Sequence, residues 1–80
     1  AMVGGECDRI FSLDGGGRED AVAAAKAEAA AKAREAGAEP ASIRIVELDE
    51  IPLSYMPGNV TRLRAKAVGD LADAGMGVAP

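Results

Sequence analysis

Histidine and tryptophan are absent from the 80 residues, and cysteine, tyrosine and phenylalanine each occur once. Without histidine there is no Ser-His-Asp or Cys-His catalysis and no imidazole metal ligand. A single cysteine excludes an internal disulfide and a cysteine-based zinc site, and it fits a reducing compartment. No apolar run approaches the roughly 20 residues that a bilayer span requires. The N-terminus also lacks the charged-then-apolar pattern of a secretory signal. A soluble, cytoplasmic protein that does not engage membranes is the expectation. Positive charge is scarce too, with nine basic residues against 13 acidic and a net charge of −4. A nucleic-acid binder normally carries a basic excess to displace counterions, so nucleic acid is not an expected partner.

What the chain does have is alanine. Hydrophobic types make up 49% of the residues, but 18 of those 39 are alanine, so few side chains can fill an interior. Residues 18–36 contain no proline or glycine and only one β-branched residue, Val22. Alanine, glutamate, lysine and arginine are strong helix formers. Glu19 and Asp20 suit the positive end of a helix dipole, and Lys32 and Arg34 the negative end. Gly37 is a natural residue just past a helix end, and Pro40 prevents continuation. At about 100° per residue, Val22, Ala25, Ala29, Ala33 and Ala36 form one stripe. A face of methyl groups buries little area but lets two backbones approach closely.

Three segments alternate in the manner of strands. In residues 6–13, Cys7, Arg9, Phe11 and Leu13 share one face, and Asp8, Ile10 and Ser12 the other. In 42–48, Ile43 and Ile45 oppose Arg44, Val46 and Leu48. In 60–68, Thr61, Leu63, Ala65 and Ala67 fall towards the helix, and Val60, Arg62, Arg64, Lys66 and Val68 fall away from it. Residues 49–59 carry Pro52, Pro57 and Gly58 and read as a bend, and 71–74 as one helical turn. The expected fold is α+β, in the order β-α-β-β. One alanine-rich helix packs on a three-stranded mixed sheet whose third strand lies in the middle. The single module spans 6–72, with flexible ends at 1–5 and 73–80, and both ends read as those of a piece excised from a longer protein.

Candidate chemistry is sparse. Gly15, Gly16 and Gly17 join the first strand to the helix, and helix N-termini attract anions. Neither Gly-x-Gly-x-x-Gly nor Gly-x-x-x-x-Gly-Lys-Ser/Thr is present, however, and Glu19 and Asp20 would repel a phosphate there. The junction reads as a loose turn. Glu47, Asp49 and Glu50 alternate on an exposed strand end beside a proline, which reads as a solvated acidic rim. Cys7 has no base near it in sequence and reads as a small strand residue. No catalytic, cofactor-binding or metal-binding residue is assigned. The open sheet face remains, where Arg44, Arg62, Arg64 and Lys66 interleave with Val46, Leu48, Val60 and Val68. It lacks the stacking aromatics of an RNA-binding sheet. A basic and apolar face of this kind suits a protein partner bearing carboxylates, either a second copy or a neighbouring domain.

Residues 21–38 and 40–48, and above all 51–71 (Ile-Pro-Leu-Ser-Tyr-Met-Pro-Gly-Asn-Val-Thr-Arg-Leu-Arg-Ala-Lys-Ala-Val-Gly-Asp-Leu), resemble hydantoinase/oxoprolinase family proteins. The family pattern is similar to Ile-Pro-Leu-Xaa-Tyr, then Pro-Gly-Asn-Xaa-Thr-Arg, then Lys-Ala-Val-Gly-Asp-Leu. The likeness covers about residues 6–72 and contains no catalytic signature. It implies a C-terminal or inter-domain module of an ATP-dependent enzyme that opens hydantoin or 5-oxoproline rings. ATP and magnesium are implied for that parent only. Asp14-Gly15-Gly16-Gly17 lacks the threonine of the family's Asp-Xaa-Gly-Gly-Thr loop and leads into a helix, so no site residue carries over. Three roles are expectations: an accessory module packing on its parent or on a second copy, a ligand-contacting part of the enzyme through the glycine turn or Pro57-Gly58-Asn59, or an independent protein-binding module.

Overall fold

A computed structural model describes residues 1–72. The chain forms β1 (Met2–Ser12), α1 (Gly17–Glu35), a 3-10 turn (Pro40–Ser42), β2 (Arg44–Pro52) and β3 (Val60–Asp70). The sheet order is β1-β3-β2, so the third strand is central as expected. Both ladders are antiparallel, and the sheet is not mixed. The helical crossover does make β1 and β2 run in the same direction. Because β3 lies between them, they never pair, and no parallel ladder forms.

The helix begins and ends within one residue of its sequence limits. Gly37, at φ +109°, follows the C-cap Ala36. The Ala38 N–H donates to the Ala33 carbonyl and the Gly37 N–H to the Arg34 carbonyl, each at 3.0 Å. That double closure satisfies two carbonyls left over at the helix end, and it requires a left-handed residue, hence glycine. Ala21, Ala25, Ala29 and Ala33 are buried. The stripe therefore starts at Ala21, with Val22 half-buried beside it and Ala36 exposed.

β1 starts at Met2, so residues 2–5 are not a loose end; they pair with Ala67–Asp70 of β3. Gly5, within this stretch, has a particular purpose. A Cβ at Gly5 would lie 2.6 Å from the Ala29 carbonyl oxygen and 2.6 Å from the Lys32 Cβ. Helix and strand come closer here than any side chain permits, and glycine is the residue that allows it. The core is correspondingly thin, with Leu63, Thr61 and Cys7 the largest fully buried side chains. Phe11 and the alanines of α1 and β3 complete it.

β2 departs most from expectation. It continues past Leu48 to Pro52, and its register with β3 slips between Ile45 and Glu47. This bulge at Val46 reverses the alternation that follows. Leu48 now stands opposite Ala65, on the helix side, while Glu47, Asp49 and Ile51 stand opposite Lys66, Arg64 and Arg62 on the open side. The helix lies over β1 and β3 and barely reaches β2. Leu71, expected in a helical turn, makes an isolated bridge to Ala38. Residues 73–80, expected to be flexible, lie outside the described residues.

Candidate interaction face

The open face is built by side chains at alternate positions, brought side by side by register. Reading β1, β3, β2 across the sheet, the rows are Glu6–Lys66–Glu47, Asp8–Arg64–Asp49 and Ile10–Arg62–Ile51. Each central cation of the first two rows thus has a carboxylate strand on both sides. The ion pairs that form run diagonally towards β1. Arg62 donates from Nε and a terminal nitrogen to the two Asp8 oxygens, both at 2.8 Å. Arg64 donates more weakly to Glu6 at 3.4 Å. The Arg62 hydrogen bonds hold the Asp8 carboxyl below its ordinary value.

The face is therefore not basic. Glu6, Asp8, Glu47 and Asp49 share it with Arg44, Arg62, Arg64 and Lys66, so its charges balance locally. The four cations expected on this face lie on it, and the register sets rows of carboxylates beside them. Of the apolar residues assigned to this face, Val60 and Val68 are on it and half-buried. Val46 is 52% exposed at the bulge, and Leu48 has turned to the other side. The larger apolar surface of this face gathers at one end. Ile10 is 46% exposed, Ile51 44% and Tyr55 80%. With Asp8, Pro52 and Arg62 they line an open hollow of about 470 Å³ at one end of the sheet. Alternation in the first strand had already put Ile10 on this side. Ile51 was hidden in a segment read as a bend.

The remaining candidates lie apart from this face. Gly15, in the turn before α1, and Gly17, the first residue of α1, adopt φ of +90° and +82°, and the Asp20 carboxylate folds back against Gly16. A negative group thus already stands where an anion would bind. Asn59, in the second candidate turn, accepts the Leu13 N–H on its backbone carbonyl at 2.8 Å. Glu50 leaves the acidic rim to accept a hydrogen bond from Arg18 of α1 at 2.6 Å. Cys7 is buried under α1. Burial, and then the Glu28 carboxylate beside it, push its thiol up to about 11, which leaves it protonated and unreactive at neutral pH. Among the described residues, no three acidic or cysteine side chains gather as metal ligands, and no helix is long and apolar enough to cross a membrane. Comparison with protein families, curated proteins and solved structures finds no match for this chain.

Proposed function

We propose that this chain is a non-catalytic interaction module that packs through its open sheet face on another protein surface. The observation that supports this reading most is the grouping of Ile10, Ile51 and Tyr55, all well exposed, around an arginine whose charge is already met by Asp8. Exposed apolar side chains beside a locally neutralised guanidinium lose little on desolvation and gain by burial. A one-sided sheet of three strands with so thin a core is also a structure that benefits from a second layer. The resemblance of residues 51–71 to hydantoinase/oxoprolinase proteins suggests the setting. The surface covered would be a neighbouring domain of an ATP-dependent cyclic-amide hydrolase, or a second copy of the module.

The balanced charges alter the chemistry proposed for the partner. A carboxylate-rich surface has little to gain from this face, whereas an apolar surface with a few polar groups fits it. The test is charge insertion at two exposed positions, Ile10→Asp and Ile51→Asp. Sedimentation over a concentration series reads self-association, and turnover and domain cohesion of the larger hydrolase read docking on the parent. Loss of either, with the variant chain still folded, supports the proposal. Two variants indistinguishable from the parent sequence in both measurements refute it.

A further inference from the structure

We propose that the free edge of β2 accepts an extended segment of another protein in which basic and aliphatic residues alternate. The inference concerns the rim of the sheet and stands whether or not the open face packs on a parent domain. β2 pairs with β3 alone, and its outer backbone edge has no partner among the described residues. Such an edge presents a row of N–H and C=O groups ready to bind another strand.

Two features give this edge a chemical preference. The first is charge. Arg62 and Arg64 lean towards Asp8 and Glu6 on β1, so Glu47 and Asp49 have no ion-pair partner among the described residues. These carboxylates stand two residues apart on the open side, opposite Lys66 and Arg64. Cations at alternate positions of an added strand would lie beside them and extend the acid–base–acid rows by one column. The second is exposed aliphatic surface on both sides of the same strand. Leu48 is 37% exposed on the helix side, where α1 barely reaches, and Ile51 is 44% exposed on the open side. Aliphatic residues between the cations would cover Leu48. The β3 segment 61–68 already has this alternating pattern, and it occupies the other edge of β2.

The same observations argue against other occupants. β2 pairing with a second β2 in antiparallel fashion, in a register that aligns these positions, would set Glu47 and Asp49 of one copy against those of the other on the open side, and like charges directly opposite are destabilising. The β1 edge is less free, because α1 closes on Gly5 and Glu28 of the helix pairs with Arg9 at 3.2 Å. The bulge at Val46 and the missing N–H of Pro52 bound the usable stretch to residues 47–51.

The experiment titrates the isotope-labelled 80-residue chain with two seven-residue peptides, one alternating Lys with Val and one alternating Glu with Val. The proposal expects amide shifts centred on residues 47–51 and binding of the Lys peptide about tenfold or more tighter than the Glu peptide at low salt. Glu47→Lys with Asp49→Lys should reverse that preference. N-methylation of alternate residues separates strand addition from simple attraction: methyl groups on one set should abolish binding, and on the other set leave it. Equal binding of the two peptides, shifts centred on β1, or indifference to both methylation patterns would overturn the inference.

Discussion

Substitution of Gly5 by alanine isolates the contact on which the two layers depend. On general grounds Gly→Ala in an extended segment should stabilise, by about 0.4–1 kcal/mol, because the unfolded chain loses freedom. The structure predicts the opposite sign. A methyl group at Gly5 would lie 2.6 Å from the Ala29 carbonyl oxygen and would also meet the Ala33 backbone nitrogen. Both are helix backbone atoms, so no side chain can rotate away, and relief requires the whole helix to shift. Overpacking of this kind costs about 1–3 kcal/mol, and α1 has only methyl groups with which to recover contact. The net expectation is a loss of about 1–2 kcal/mol, which in a domain of this size lowers Tm by roughly 4–16 °C. Thermal and urea unfolding followed by circular dichroism measure it directly. An unchanged or raised Tm for Gly5→Ala would refute the packing argument.

Two further predictions follow from single groups. Thr61 is 1% exposed and its hydroxyl has no hydrogen-bond partner among the described residues; Thr61→Val should therefore stabilise by about 1 kcal/mol, and a lower urea midpoint would contradict this. Asp8 titrates below its ordinary value of 3.8 because Arg62 hydrogen-bonds its ionised form. The stabilisation from that pair is fully present well above the ordinary value and is lost as pH falls through the lower folded value. Asp8→Asn should flatten the acid limb of stability against pH, and an unaltered limb would show that the pair contributes nothing.

How much of this was legible in the sequence depended on whether the signal was local. The helix and its end could be read because alanine-rich propensity, Gly37 and Pro40 act within a few residues. The β3 alternation was equally plain, since a central strand between a helix and an open face separates small from charged positions cleanly. The β1 start was obscured because residues 1–5 show no alternation, while the need for Gly5 arises from Ala29 and Ala33 of a helix distant in sequence. The bulge at Val46 left no mark, for a β-branched residue there looks like ordinary strand. That one slip misplaced Leu48 and hid Glu47, Asp49 and Ile51 from the face they help to form. The charge balance was beyond reach for the same reason, because which carboxylate flanks which arginine is set by register between strands far apart in sequence.

The central claim is that α1 covers one side of the sheet and leaves the other to solvent. A soluble gadolinium chelate, added to methyl-labelled protein at concentrations where the chain is monomeric, measures this side by side. The methyl resonances of Ile10 and Ile51 should broaden strongly, while those of Ala25, Ala29 and Leu63 persist. Protected isoleucines together with broadened helix alanines would contradict it.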